Sequence, residues 1–147
     1  MTNLPVQIRP AATSDATVLV VLTRQLGYEV DAQGVADRLT HLLSIPGQAI
    51  FVAEADRNVI GWVHAFIVCE IETDLFAEIG GLVVDERWRN KGVGGLLMHR
   101  AEAWARENGM PLVRLRSNII RETAHRFYSN LGYSYEKNQK VFTKKLG

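Results

Sequence analysis

Apolar positions along the chain follow two rhythms, one of period two and one near 3.6. From Val6 to Arg9 apolar and polar residues alternate, as in a short strand. Thr13-Ser14-Asp15 then offers helix N-cap side chains, and Leu19, Leu22 and Leu26 fall on one helical face that closes at Gly27. Val35, Leu39, Leu42 and Leu43 form the stripe of a second helix over about Ala32–Ser44, which ends before Pro46-Gly47. Two apolar runs, Ala49–Glu54 and Val59–Cys69, flank Asp56-Arg57-Asn58 and read as a hairpin. Gly61 inside the second run marks a bulge or a close backbone approach. A strand over Ala77–Val84 runs into a glycine-rich stretch. The helix beyond it is predicted to bury Val93, Leu96, Leu97, Ala101 and Trp104 and to stop at Asn108-Gly109 and Pro111. Leu112–Arg116 alternates again. A short helix over Arg121–Asn130 carries Ala124, Phe127 and Tyr128, with Gly132 as its cap, and Tyr135–Lys145 suggests one or two closing strands. The order β-α-α-β-β-β-α-β-α-β describes a mixed sheet covered by helices, in one domain spanning residues 1–147.

Composition narrows the class. At 147 residues, 47% hydrophobic and 22% charged, the chain is long enough for a real core and ordinary for a globular protein. A net charge of +1 supplies no strong field to draw in nucleic acid or anionic lipid, so any anion site must be local. The single cysteine, Cys69, excludes an internal disulfide framework and reads as a packed or edge thiol rather than a nucleophile. The N-terminal stretch lacks the regions of a signal peptide and no apolar run reaches membrane length, so a cytoplasmic location is expected. His41, His64, His99 and His125 show no metal-ligand spacing, and no metal is expected.

Ile79–Leu97 holds the candidate chemistry. The run Leu82-Val83-Val84 ends at Asp85, and Arg89-Asn90-Lys91-Gly92-Val93-Gly94-Gly95 leads into a helix. A strand that passes through glycines into a helix start gathers free backbone N–H groups at the positive end of the helix dipole. Gly92, Gly94 and Gly95 let a ligand approach the backbone, while Arg89 and Lys91 add positive charge. The place suits a pyrophosphate. It is no P-loop, since Gly-Lys-Ser/Thr is missing, and no Gly-x-Gly-x-x-Gly dinucleotide turn.

Three signals agree in order and spacing. They are the Arg89–Gly94 loop after a strand, the Leu112–Arg116 strand running into Ser117-Asn118, and Arg121-x-x-Ala124-His125-x-Phe127-Tyr128-x-x-x-Gly132-Tyr133. On these motifs the chain resembles the GCN5-related N-acetyltransferase family, closely over residues 77–135 and by order of elements over 6–70. The resemblance implies an α/β fold, a mostly antiparallel mixed sheet of about six to seven strands with about four helices. It implies transfer of an acetyl group from acetyl-CoA to a primary amine by direct attack in a ternary complex. Acetyl-CoA would be the cosubstrate, and a homodimer would be the assembly. A sensor of the same fold that binds acetyl-CoA without turnover is the alternative.

By the same resemblance, the amides of Asn90–Gly95 hold the pyrophosphate, with Arg89 and Lys91 beside them. Leu82, Val83 and Val84 pair with the pantetheine arm as an added strand, and a backbone N–H there polarises the thioester carbonyl. Tyr128 matches the tyrosine that supplies a proton or hydrogen bond to the departing thiolate. Asn118 either bonds the cofactor arm or caps the next helix, and Arg121 serves a phosphate or the helix start. Many relatives place acids where Gly80-Gly81 stand in this chain. Glu78, on the same strand face, is then a base acting through water, an anchor for the substrate ammonium, or a solvated carboxylate. Glu70, Glu72 and Asp74, and in the first helical region Tyr28, Glu29 and Asp31, are candidates for attracting a cationic amine.

Overall fold

A computed structural model describes residues 5–117 and 121–147. The elements are β1 (Val6–Pro10), α1 (Ala16–Arg24), α2 (Ala32–Leu43), β2 (Gln48–Ala55), β3 (Asn58–Val68), β4 (Phe76–Val84), α3 (Val93–Glu107), β5 (Val113–Leu115) and α4 (Glu122–Asn130). The chain divides into two compact units, Met1–Leu115 and Arg116–Gly147.

In the first unit five strands form one sheet in the order β1-β2-β3-β4-β5. The first three pairings are antiparallel, and β4–β5 is parallel. β2 is apolar on nearly every position because both its faces are covered. On one face Ala16, Leu19 and Leu39 of the helical layer pack with Ile50, Val52 and the half-buried Trp62. On the other, α3 buries Val93, Leu97, Met98, Ala101 and Ala105. Leu96 is 44% exposed, so the buried stripe of α3 lies about one residue away from the expected one. Leu97, buried as expected, lies against bare β3 backbone: a Cβ at Gly61 would meet Leu97 Cδ1 at 3.1 Å and the Val83 carbonyl oxygen at 2.9 Å. β3 also carries a bulge beside this glycine, with the register shifting between Ala53 and Glu54 of β2.

The helix ends follow from the sequence. Asp31 accepts from the Gly34 N–H at 2.6 Å and caps α2. Gly109, at φ 75°, closes α3: its N–H donates to Arg106 O, and that of Met110 donates to Ala105 O. Between β1 and α1, Arg9 donates to both Asp15 oxygens at 2.9 and 3.0 Å and to Glu54 at 2.6 Å. Cys69 is exposed, one residue beyond β3.

In the second unit α4 is followed by residues 131–147, which carry no strand. The expected closing strands over 135–145 are therefore absent among the described residues, and the sheet has five strands rather than six to seven. Tyr135, Val141, Phe142 and Leu146 are 78%, 80%, 86% and 89% exposed. Polar residues from Glu136 to Lys140 separate the first two, too sparse an apolar pattern to hold a strand without a ladder partner.

Candidate active site

The glycine-rich loop is anchored at its entrance. Asp85 is 6% exposed, its N–H donates to Ile60 O at 2.8 Å, and its carboxylate accepts from the Arg87 N–H at 3.0 Å. Burial pulls the Asp85 carboxyl upward, but the hydrogen bonds from Arg87 outweigh it and hold the group below the usual carboxylate value. Gln25, at the end of α1, accepts from the Glu86 N–H at 2.9 Å. Arg89 Nε then donates back to Val84 O at 3.2 Å, and Lys91 Nζ lies 5.2 Å from the centre of the Trp88 ring.

Two left-handed residues, Asn90 at φ 62° and Gly92 at φ 83°, turn the chain into α3. Gly92 is the N-cap and has no side chain to offer, so no side-chain cap bonds the first N–H groups of α3. The first backbone bond of the helix comes later, from Leu96 N–H to Gly92 O at 3.2 Å. A cluster of N–H groups at Val93, Gly94 and Gly95 thus adjoins the exposed Arg89, Asn90, Lys91 and Gly92. Such an arrangement binds phosphate oxygens without further machinery.

Beside it, β4 has an edge without a ladder partner among the described residues of the first unit. The parallel ladder with β5 stops at Ile79–Leu115, while Gly80–Val84 continue beyond it on the β5 side. An extended chain carrying amides can add there as a strand would. The position is further marked by a bulge: Gly81 pairs with His64 and Ile79 with Ala65, so Gly80 is the extra residue. A Cβ on Gly81 would meet the Trp62 ring at 2.7 and 2.8 Å. One on Gly80 would lie 2.9 Å from Phe66 Cε1 and 3.1 Å from His64 Nδ1. Three ring side chains of β3 thus occupy the space in which side chains at 80 and 81 would stand.

Glu78 shares this face through its pairing with Phe66, as the sequence predicts, and Arg114 of β5 grips it. Nε and Nη2 of Arg114 both donate to Glu78 Oε1, at 2.7 and 2.6 Å. The Arg114 guanidinium also lies 4.3 Å from the Phe76 ring centre and 4.0 Å from Glu70. Glu72 and Asp74 are exposed, as are Tyr28 and Glu29, and Asp31 is committed to capping α2.

In the sequence His64 stands out only as one of four histidines without metal-ligand spacing. Its Nε2 lies 2.7 Å from Gln48 Oε1, its ring lies 5.4 Å from that of Phe66, and burial pushes its pKa below the ordinary 6.5. The available signal was the glycine pair itself, since two glycines in a strand leave room for something across it.

In the second unit Tyr128 and Gly132 are linked by the helix end. The Gly132 N–H donates to Ser129 O and the Tyr133 N–H to Tyr128 O, both at 3.0 Å, with Gly132 at φ 95°. This pair of hydrogen bonds is the Schellman turn, and the Tyr128 and Tyr133 rings, 6.0 Å apart, make its accompanying apolar contact. The Phe-Tyr-x-x-x-Gly-Tyr spacing therefore fixes where the Tyr128 ring stands on its helix. Burial raises the Tyr128 pKa above 10.0, with Arg121 opposing, so the phenol is protonated at neutral pH. Arg121 is the exposed N-cap residue of α4, His125 is half-buried, and Asn118 lies outside the described residues.

An open cavity of about 750 Å³ between the start of α1, the β2–β3 turn and Trp88 is lined by none of the predicted binding residues. Among the described residues no group of His, Cys, Asp and Glu is placed to hold a metal ion, and no helix is long and apolar enough to cross a membrane.

Comparison with known proteins matches residues 46–135 to the acetyltransferase (GNAT) domain family. The chain is 32% identical to an aminoalkylphosphonate N-acetyltransferase of Salmonella typhimurium over 142 residues, 95% of this chain and 91% of that protein. Its fold superposes on an aminoglycoside 6'-N-acetyltransferase from Acinetobacter haemolyticus with a TM-score of 0.84 at 21% identity, covering 96% and 99% of the two chains. A second aminoglycoside N-acetyltransferase, solved with CoA, superposes with a TM-score of 0.85 at 20% identity over 98% and 97%. The chain belongs to the GNAT family and is an acetyl-CoA-dependent N-acetyltransferase.

Proposed function

We propose that the enzyme acetylates the primary amine of a small polar molecule, of the aminoalkylphosphonate or aminoglycoside kind. The observation that carries the cofactor half is the continuity of the uncapped α3 start with this edge of β4. One binds the pyrophosphate through Asn90–Gly95 with Arg89 and Lys91, and the other pairs Leu82–Val84 with the pantetheine amides. The names of the relatives support the acceptor class: one acts on aminoalkylphosphonates and another, 27% identical over 139 residues, on aminoglycosides.

In this reading a backbone N–H near Leu82–Val84 polarises the thioester carbonyl, and the amine attacks within a ternary complex. Tyr128 gives a proton or hydrogen bond to the departing sulfur, a role supported by its protonated phenol. Arg121 contributes charge toward a phosphate and Asn118 a hydrogen bond to the cofactor arm. Glu78 stands in this reading as an anchor for the substrate ammonium, with Arg114 fixing the position of its carboxylate. The family match crosses the boundary between the two units, which supports a single catalytic domain over 1–147. A cytoplasmic homodimer completes the reading, and sedimentation tests the dimer.

CoA release with neamine, 2-aminoethylphosphonate and a lysine peptide tests the assignment. Release with one of the first two supports it. Tight acetyl-CoA binding with no release from any amine would instead favour a sensor.

A further inference from the structure

A lysine-like ammonium has a pKa of about 10.4 and must lose a proton before its nitrogen can attack, and Gly80-Gly81 leave the bulge of β4 without a carboxylate to take it. We propose that His64 takes that proton at Nδ1, because Gln48 engages Nε2 and leaves Nδ1 facing the side-chain-free bulge of β4 at Gly80. The proposal rests on the acetyl-transfer reading above.

Three features of the structure converge on it. Gln48 Oε1 lies 2.7 Å from Nε2, and an amide oxygen only accepts, so the neutral ring carries its hydrogen on Nε2 and its lone pair on Nδ1. Gly80 is exposed and has no side chain, and a Cβ there would stand 3.1 Å from Nδ1. Any residue larger than glycine would cover the nitrogen from that side. Burial lowers the His64 pKa below 6.5, which keeps the imidazole unprotonated and ready to accept at pH 7.

The charged groups around it are few. On this face of β4 stands Glu78, paired with Arg114 of β5, and β2 offers the neutral Gln48 and Ile50. α1, which packs on β3, carries Arg24 alone, and α2, which packs on β2, carries Asp37, Arg38 and His41. Burial, not these charges, sets the direction of the shift.

The step balances. One ammonium proton passes to Nδ1 and leaves an imidazolium. The freed nitrogen lone pair forms the C–N bond at the thioester carbonyl carbon. The C–S bond breaks with its electron pair on the CoA sulfur, a second nitrogen proton ends on that sulfur, and the imidazolium returns its proton to water.

The test measures kcat/KM for neamine and 2-aminoethylphosphonate from pH 5.5 to 9.5, with acetyl-CoA affinity by calorimetry. The wild type should lose rate on the acid side with a midpoint below 6.5. His64→Gln should lose about 100-fold at pH 7 with acetyl-CoA affinity unchanged, and the loss should shrink toward pH 9.5, where the amine sheds its own proton. Imidazole in the buffer should restore His64→Ala about tenfold. A deficit of the same size at every pH, or wild-type activity of His64→Gln at pH 7, overturns the proposal. Nitrogen-15 spectra of the wild-type protein give a second readout, and a neutral ring protonated on Nδ1 overturns it even if the variants fail to fold. Should the wild type bind acetyl-CoA but acetylate no amine, the acetyl-transfer reading itself has failed and His64 has no such role.

Discussion

Gly81→Ala isolates the reason β4 carries glycine beside the bulge. In an ordinary strand the change should help, because alanine loses less backbone freedom on folding than glycine, by about 0.5–1 kcal/mol. Gly81 has no left-handed backbone to oppose the change, so its sign depends on space. The new Cβ would stand 2.7 Å from Trp62 Cη2 and 2.8 Å from Cζ3. Carbon atoms rest at about 3.5–4.0 Å, so the indole must retreat by roughly 1 Å. It is a rigid ring packed against the cluster of Leu19, Leu39 and Val52, and overpacking of that kind costs about 1–3 kcal/mol. The net expectation is a loss of about 1–2 kcal/mol, or a fall in Tm of about 2–8 °C for a chain this size. Thermal and urea unfolding of Gly81→Ala, Trp62→Leu and the double variant close a cycle. With the ring gone, alanine should be neutral or stabilising. A rise in Tm for Gly81→Ala alone, or strictly additive single changes, would refute the steric account.

Gly92→Trp should raise the KM for acetyl-CoA at least about tenfold through lost loop hydrogen bonds, measured by steady-state kinetics, and an unchanged KM would refute the loop assignment. Tyr128→Phe should lower kcat about 100-fold with little effect on that KM, and an unchanged kcat would remove the proton-donor role. Hydrogen bonds from Arg9 lower the Asp15 pKa below 3.8, so the pair stabilises the fold above that value and loses its effect as pH falls through the lower folded pKa. Asp15→Asn should therefore cost about 2 kcal/mol at pH 7 and clearly less at pH 2 in urea unfolding, whereas an equal cost at both would assign the effect to packing.

The glycine-rich loop, the glycine stops of α3 and α4 and the order of the elements from β1 to α4 were legible in the sequence because each depends on neighbours a few residues away, whereas Thr13-Ser14-Asp15 supplies no side-chain cap to α1. Gly92 turns the chain at φ 83°, and Gly109 and Gly132 close their helices with bonds reaching back no more than five residues. The spacing from Tyr128 to Gly132-Tyr133 could be read for the same reason. Other features depended on what lies opposite. The buried stripe of α3 takes in Met98 and Ala105 in place of Leu96 and Trp104, and Leu97 meets bare backbone at Gly61, a contact between residues far apart in the chain. The closing strands failed to appear because a strand exists only with a partner to bond, and alternation of side chains does not supply one. Gly80-Gly81 shows the division most clearly. From the sequence they were a missing acid. The bulge and the cross-strand distances make them the space that Trp62, Phe66 and His64 fill, because side chains opposed across a ladder meet at a register the sequence does not state.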